Sequence, residues 1–260
     1  MPRPPAAAAR VLPAAVLCAA ALLTASACSS GGAPDAASAT EAQASRPAAP
    51  ASPTGAAMLT AAQAQAALLT ETDLGAPWEP TEGAATWRDG VLKGHTDTAG
   101  CARLMDSLYA DEPLGTPTGT RAVAAYDDPD DQAQLRYQVL SLRAADVDRS
   151  LSWLRTLPRS CARFTTETTA AGTQDVQVSE LALPEVGDAR QGLRVTFTGE
   201  SDDGDATALT LDVVAVRVGD DAIVLTDGAL GALPPDTTTR AVKLGVQRLT
   251  EARQKARAQA

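Results

Sequence analysis

The stretch ALTLDVVAVRVGDDAIVL, residues 208–225, contains two apolar runs separated by a Gly-Asp pair at 219–220. Aliphatic and β-branched residues favour extended strands, and Gly-Asp between two such runs marks a tight turn. Leu209, Leu211 and Val213 alternate with polar residues, but the apolar positions then resume one residue out of step. The strand therefore either contains a bulge near Val213 or lies at the centre of a sheet with both faces buried.

Further strand-like segments precede this stretch, with short links between them. LRVTFT (193–198) alternates apolar and polar residues, and it follows FTTET (164–168) and VQVSELAL (176–183). The link SDDGD (201–205) contains Asp-Gly, a dipeptide typical of type I′ hairpin turns. Links of this length cannot hold crossover helices, so the C-terminal half is predicted to be an antiparallel meander.

Helical patterns surround these strands. Four helices are predicted: one that begins with the capping box TAAQ (60–63) and runs through Leu69, one that carries Cys101, one over about 145–158 that stops at Pro158, and one over about 236–257. Two more strands, AVAAY (122–126) and LRYQVLSL (135–142), lie between the second and third helices. The predicted fold class is α+β, a single domain over residues 57–260 in which an antiparallel sheet packs against helices.

The N-terminal residues have the features of a bacterial lipoprotein signal. Two arginines and no acid precede VLPAAVLCAAALL (11–23), an apolar run shorter than the roughly 20 residues that span a bilayer. ASAC (25–28) follows and resembles a lipobox, the motif whose cysteine receives a diacylglycerol. We predict a signal peptide over residues 1–27 and lipidation of Cys28, which would place the protein on the extracytoplasmic face of the cell membrane. Secretion after cleavage nearby, without lipid, is the alternative.

Residues 28–56 are predicted to be a tether behind the lipidated cysteine. The segment is rich in Ala, Ser and Pro and contains no Leu, Ile, Val or aromatic residue. Such a composition cannot bury enough apolar surface to offset the entropy lost on ordering. As a flexible chain it would reach about 30 Å from the membrane. A glycosylated stalk is the alternative interpretation.

The charge balance is strongly acidic. The chain has 22 Lys and Arg against 32 Asp and Glu, a formal charge of −10. Removal of residues 1–27, which hold two arginines, leaves 20 against 32, or −12. Such a surface repels phosphates and anionic headgroups, which argues against a nucleic-acid partner. Contact with the membrane is therefore expected to come from the covalent lipid.

Two of the four cysteines remain for a disulfide. Cys18 lies in the signal peptide and Cys28 is the predicted lipid site, which leaves Cys101 and Cys161. In an oxidising compartment such a pair usually forms a disulfide. Both residues continue apolar helix faces, so both thiols are expected to point inward. A Cys101–Cys161 bridge is predicted, with two separate buried cysteines as the alternative.

The order of these features resembles the actinobacterial sensor-domain lipoproteins, a group similar to the extracellular sensor domain of the mycobacterial kinase PknH. The resemblance rests on LLTETDLGAPW (68–78), on the cysteines at the start of the second helix and the end of the third, and on LTLDVVAVRVGDDAIVL (209–225) before the last helix. It implies an α+β fold with a cleft for an unknown ligand. The chain departs from the kinase in having cysteines for one of its two disulfides and in lacking a kinase or transmembrane segment.

Two tryptophans are the candidates for the rim of such a cleft. Trp78 and Trp87 lie in irregular segments, where a large ring needs something to cover it. Covering the core is the alternative role for both side chains.

The sequence predicts no catalytic centre, cofactor or metal site. His95 is the only histidine, it lies in a predicted exposed loop, GHTDT (94–98), and no G-x-S-x-G motif occurs. Zinc bound by His and Cys is excluded by number once the disulfide forms. The acidic clusters DDPDD (127–131) and DDGD (202–205) lack the calcium-loop pattern and are typical of turns.

Three functions remain open. The leading one is a lipid-anchored extracytoplasmic binding or sensor-like module, not an enzyme, with a cleft for a small or amphipathic molecule of the cell envelope. The second is an envelope protein-interaction module without a ligand pocket, and the third is a carboxylate-based hydrolase of cell-wall polymer. An apolar cavity under Trp78 and Trp87 would favour the first function, and a flat surface with an exposed apolar patch would favour the second. Two close, buried carboxyls in a groove would favour the third.

Overall fold

The computed structural model describes residues 58–259 except 84–86, 131, 169, 201–203 and 205. The predictions for the signal peptide, for Cys28 and for the tether therefore lie outside the described residues. Of the helices that are described, none has the length and apolar character needed to cross a membrane.

The described residues form an α+β fold, as the sequence predicts. In chain order the elements are α1 (Ala61–Ala66), α2 (Glu71–Leu74), β1 (Glu79–Pro80), a π-helical turn (Arg88–Leu92), β2 (Gly94–His95), α3 (Ala102–Ala110), β3 (Arg121–Asp128), β4 (Ala133–Ser141), α4 (Ala144–Ser160), β5 (Arg163–Thr168), β6 (Gly172–Glu180), β7 (Ala189–Glu200), β8 (Ala206–Val218), β9 (Asp221–Leu230) and α5 (Thr237–Gln259).

All strands described in the structure belong to one antiparallel sheet. The strand order is β1-β3-β4-β9-β8-β7-β6-β5-β2. Strands β5 to β9 are therefore neighbours in sequence order, which confirms the predicted meander. Helix α4 carries the chain across to β5, and the meander then returns until β9 pairs with β4. The turn between β8 and β9 contains Gly219, whose φ of +63° is one that glycine adopts without strain.

Strand β8 lies at the centre of the sheet with both faces covered. Its pairing with β7 and β9 is continuous, so no bulge interrupts it near Val213. Leu211 and Val213 belong to one apolar cluster, whereas Val214 and Val216 belong to another. The shift in the apolar pattern arises because Asp212 occupies a position on the second face.

The two apolar clusters lie on opposite faces of the sheet. The first, which we call the α4 core, includes Leu151, Leu154 and Leu157 of α4, and this helix packs on β6, β7 and β8. The second, which we call the α5 core, includes Val242 and Leu249 of α5, and here α5 packs on β8 and β9 while α1 packs on β3 and β4. The sheet therefore lies between two helical layers near its centre.

Helix ends agree with the sequence at one site and differ at two others. The capping box of α1 is confirmed, since Thr60 and Gln63 exchange hydrogen bonds of 2.9 and 3.3 Å, although α1 ends at Ala66 rather than Leu69.

The prediction that the third helix stops at Pro158 is wrong. Proline lacks an N–H, yet near a C-terminus this removes only one bond of the ladder. The last turn persists because the Cys161 N–H donates to the Leu157 carbonyl at 2.8 Å.

The predicted disulfide is present. It joins Cys101, at the N-terminal boundary of α3, to Cys161, at the C-terminal boundary of α4, with 5.7 Å between the two Cα atoms. Both residues are buried in the α4 core. The bridge therefore links the two helices that cover this face of the sheet.

A buried ion pair holds the C-terminal half of α5 on the sheet. Arg253 of α5 pairs with Asp221 at the start of β9, and the Ser141 hydroxyl donates to the same carboxylate at 2.6 Å. Gly219 makes room for this contact, because a Cβ there would lie 2.3 Å from an Arg253 guanidinium nitrogen. Breaking such a pair leaves an uncompensated buried charge, so it fixes where α5 lies.

Removal of either cysteine should lower stability by a similar amount. The disulfide closes 60 residues, which in the chain-entropy model is worth roughly 4 kcal/mol. We expect Cys101→Ser and Cys161→Ser to lower the melting temperature of the purified protein equally, and the double mutant to lose little more than the worse single mutant. Fully additive losses, or two alkylated cysteines at these positions in the unreduced wild type, would contradict the bridge.

Candidate functional site

The structure does not bring Trp78 and Trp87 together. Trp78 lies in the α5 core with 4% of its surface exposed, whereas Trp87 lies in the α4 core with 7% exposed. The sheet separates the two side chains, so they do not form the rim of one cleft. Their positions correspond to the alternative role, in which each ring covers part of a core.

The indole of Trp87 packs against the backbone of β9. A Cβ at Gly228 would lie 2.8 Å from Trp87 Cζ2 and 2.4 Å from Leu211 Cδ2. Real side chains do not approach this closely, so the absence of a side chain at residue 228 is what admits the ring. The glycine inside an otherwise apolar strand is thus a packing feature.

The His95 side chain lies at the surface. Its side chain is 81% exposed, and its Nε2 lies 3.1 Å from Asp97 Oδ1, an acid that is itself exposed. The residue belongs to the short strand β2, which pairs with Thr168 and Glu167 of β5, rather than to a loop.

The described part of the DDPDD segment forms the β3–β4 turn. Asp127 Oδ1 accepts hydrogen bonds from Thr81 Oγ1 at 2.8 Å and Gln134 Nε2 at 2.7 Å. Asp128 Oδ1 accepts the backbone N–H of Asp130 at 3.0 Å. These carboxylates therefore order the chain around a turn. Of the second cluster, DDGD, only Gly204 lies within the described residues.

One part of the sheet is left uncovered on the side that α5 occupies. Inward-facing residues of β5, β6 and β7, such as Phe164, Val176 and Phe197, belong to the α4 core. The alternate residues of the same strands face the other way and are polar and mostly exposed. We call this surface the open face, and it consists of Arg163, Thr165, Asp175, Gln177, Thr196 and Thr198.

The open face consists of two rows that cross three strands. Pairing places Arg163 opposite Gln177 and Gln177 opposite Thr196. The second row is Thr165, Asp175 and Thr198. Directly paired side chains lie about 5 Å apart, so the six residues form one contiguous patch.

This patch lines a concavity of about 630 Å³, to which Thr98, Phe164 and Val176 also contribute. Its own side chains comprise one guanidinium, one carboxylate, one amide and three hydroxyls. Together they offer both donors and acceptors within a small area. A surface of this kind suits a small polar molecule better than an apolar one.

A second polar arrangement lies beside the open face, and its two carboxyl groups are buried. Arg194, the residue two before Thr196 on β7, holds Asp212 of β8 with bonds of 2.7 and 2.9 Å. The Thr238 hydroxyl, in the first turn of α5, lies 3.0 Å from Asp212 Oδ2 and 2.9 Å from Asp227 Oδ2. Two carboxyl groups thus meet at one hydroxyl.

Burial dominates the electrostatics of Asp227. Asp227 is fully buried, and this burial raises its pKa to about 7; the Thr238 hydrogen bond opposes the rise, while the charge of Asp212 adds to it. The hydrogen bond with Asp212 raises the pKa of Arg194 in turn, which keeps that guanidinium charged. Both carboxyls lie under α5 and are almost completely buried.

Sequence reasoning did not find the open face or the carboxyl pair. Alternation in FTTET and LRVTFT indicates which residues face outward, but it does not show which outward residues lie side by side. The out-of-step Asp212 was the one usable signal, because a buried acid in a central strand needs a partner.

Comparison of this chain with known proteins found similar solved structures. No family model matches the sequence, and no curated protein is significantly similar to it. One similar structure is the extracellular domain of PknH from Mycobacterium tuberculosis, at 13% identity and a TM-score of 0.46, over 77% of this chain and all of that one. Another is an uncharacterised protein of Mycobacterium smegmatis, the Rv0999 ortholog, at 15% identity and a TM-score of 0.38. The match covers 75% of this chain and 97% of that one. Similarity at this level establishes no shared function.

The two tryptophans should contribute to stability independently. We expect Trp78→Phe and Trp87→Phe each to reduce the unfolding free energy by about 1–3 kcal/mol, since each leaves unfilled space in a packed core. In the double mutant the losses should add within about 0.5 kcal/mol, because separate cores share no contacts. Urea unfolding measures all three values.

Trp153→Phe serves as the control for this series. Its ring is half-buried on α4, with the Arg103 guanidinium 3.8 Å from the ring centroid. A smaller loss is expected there. A coupling above about 1 kcal/mol between Trp78 and Trp87 would show that they share one site after all.

Proposed function

We propose that this protein is a lipid-anchored, extracytoplasmic binding module of the cell envelope, without enzymatic activity. The observation that carries the proposal is the open face: a concave polar surface beside the helices that cover the centre of the sheet. A rigid sheet that presents donors and acceptors at fixed spacing is a suitable platform for a ligand.

The extracytoplasmic location is supported by the cysteines. A buried disulfide between Cys101 and Cys161 persists in oxidising compartments and is rare in the cytosol. The signal-like N-terminus and the lipobox around Cys28 point in the same direction. Anchoring through Cys28 also fits the acidic chain, which has no electrostatic attraction to anionic lipids.

The lipid anchor can be tested at Cys28 directly. Cys28→Ala should yield an uncleaved or wrongly cleaved precursor that lacks the acyl mass, because the thiol is the group that receives the lipid. Cys18→Ala, in the apolar run of the predicted signal, is the matched control and should be processed as wild type. Mass spectrometry of membrane and soluble fractions measures both, and a Cys28→Ala protein that matured with its lipids would refute the anchor.

The chemistry of the open face defines the ligand class. Arg163 can hold an acidic or carbonyl group, Asp175 can accept from hydroxyls or amines, and Gln177 can do either. We propose a small, polar molecule rich in hydroxyl or amide groups. The amphipathic ligand that the sequence suggested has less support, because the tryptophans expected to hold its apolar part are buried in the cores.

The two other functions have less support in the structure. Among the described residues, two large apolar side chains are exposed, Met58 and Leu230, and protein-interaction sites usually present more apolar surface than this. A carboxylate-based hydrolase would need its two acids in a groove. Asp212 and Asp227 are close together and buried, as that pair would be, but they lie beneath Thr238 and the start of α5 rather than in a groove.

Native mass spectrometry of the protein purified from its own host tests the binding proposal. We expect a small molecule to accompany the wild type. Arg163→Ala and Gln177→Ala should each reduce the bound fraction at least about tenfold, because each removes a hydrogen bond that the ligand uses.

Arg159→Ala provides the matched control. Arg159 is an exposed arginine in the last turn of α4, away from the open face, so its removal should leave binding unchanged. Equal retention of the molecule by Arg163→Ala and wild type would place the ligand elsewhere. A wild type that carries nothing, and that instead co-purifies with one protein in fixed stoichiometry, would favour the protein-interaction alternative.

A further inference from the structure

We propose that the folded domain binds one proton between Asp212 and Asp227, and that this proton holds the N-terminus of α5 on the sheet. The inference is independent of the ligand proposed above. It rests on the number of hydrogen atoms available for the two hydrogen bonds of one side chain, Thr238, in the first turn of α5.

The Thr238 hydroxyl has one hydrogen and lies within hydrogen-bonding distance of both carboxyls. Its Oγ1 is 3.0 Å from Asp212 Oδ2 and 2.9 Å from Asp227 Oδ2. A hydroxyl donates only once, whereas an ionised carboxylate can only accept. If both acids were ionised, one contact would pair two acceptors without a hydrogen. A proton on one carboxyl satisfies both contacts.

The surroundings identify which acid carries that proton. Asp212 accepts two hydrogen bonds from Arg194, at 2.7 and 2.9 Å, and is therefore the ionised partner. Asp227 has no such cation: its Oδ2 meets Thr238, and its Oδ1 is buried without a hydrogen-bond partner among the described residues. A neutral carbonyl oxygen left unpaired costs much less free energy than an unpaired carboxylate oxygen.

The chain of bonds that results runs from the sheet to the helix. Asp227 donates its proton to Thr238 Oγ1, Thr238 donates to Asp212, and Asp212 accepts from Arg194. The charged groups that influence Asp227 are Asp212 on β8, Arg194 on β7 and Asp128 on β3. Two of these three are acids, so the site favours the neutral form of Asp227. Loss of the proton would place two carboxylates at one hydroxyl and weaken its hold on α5.

The effect of pH follows from the direction of the shift. Burial raises the pKa of Asp227 from its ordinary 3.8 to about 7, so the folded state retains the proton to higher pH than the unfolded chain does. Between these values the folded state binds more protons than the unfolded state. Stability from this group is therefore greatest at the acidic end of the range and falls as the pH rises toward 7.

Carboxyl-carbon NMR of aspartate-labelled protein observes the proton directly. We expect one aspartate signal to titrate near neutrality in the wild type and to disappear in Asp227→Asn. Because the titration is observed in the wild type, it does not depend on a variant that folds. Ionisation of every aspartate in the usual acidic range would overturn the proposal.

Unfolding equilibria measure the consequence for stability. For the wild type we expect the unfolding constant to rise at least about tenfold from pH 5 to pH 8, relative to Asp227→Asn. Asparagine keeps the shape and a donor for Thr238, so that variant should lose this part of the pH dependence. Asp106→Asn, at an exposed site on α3, is the matched control and should keep it. The series is repeated in His95→Gln, because histidine titrates in this range.

Hydrogen exchange locates the effect. Protection of the Arg240 amide, which donates to the Asp236 carbonyl at 2.9 Å at the start of α5, should fall with rising pH in the wild type and not in Asp227→Asn. Asp212→Asn should reduce stability at every pH, since it removes the negative charge that pairs with Arg194 and one of the two oxygens that accept its hydrogen bonds. An unchanged pH dependence in Asp227→Asn, or protection lost equally along the whole helix, would contradict the proposed role.

Discussion

Both faces of β8 are apolar, and exposure of either would forfeit a large burial free energy. A strand of this kind can exist only where helices or other elements cover the sheet on both sides. Helix α4 meets this requirement for β8 on one side, and α5 meets it on the other. The strands farther from the centre, β5 to β7, carry apolar residues on the α4 side alone, so nothing requires a helix above their second face. The open face therefore lies on strands whose second face has no apolar residues to bury.

The position of α5 depends on two polar contacts as well as on its apolar face. Near its start, Thr238 contacts the carboxyl pair of Asp212 and Asp227. Near its other end, Arg253 pairs with Asp221 in an environment that excludes water. Apolar packing is tolerant of small shifts along a helix axis, whereas a buried hydrogen bond is not. The two contacts together fix both the register and the tilt of the helix over β8 and β9.

Features that depend on neighbouring residues in the sequence could be predicted well. The meander follows from alternation and from turn dipeptides, and the capping box from residues three apart. The disulfide follows from the small number of cysteines outside the predicted signal peptide and lipid site. The end of α4 was predicted too early. Pro158 removes one hydrogen bond of the helix, but the helix continues because the Cys161 N–H still donates to the Leu157 carbonyl. The order of strands β3 and β4 beside β9 depends on packing between distant segments, which local patterns do not encode.

The candidate site could be predicted only in part, for the same reason. Arg163, Gln177 and Thr196 become neighbours through the register of three strands, and a change of one residue in that register would turn each of them inward. Trp78 and Trp87 were expected in a cleft because each lies in an irregular segment. An irregular backbone, however, allows a ring to turn into the nearest core as readily as out of it. The Trp87 ring packs into the space left by the missing side chain of Gly228.

The alternation along β5, β6 and β7 also separates two kinds of evolutionary change. Residues that maintain the fold point to the α4 core, and residues of the open face point away from it. Substitutions on the open face therefore leave packing volume intact and cost little stability, as exposed positions usually do. One scaffold can in this way acquire many recognition surfaces while its interior stays constant. Descendants of a common ancestor would then share this architecture and differ in what they bind.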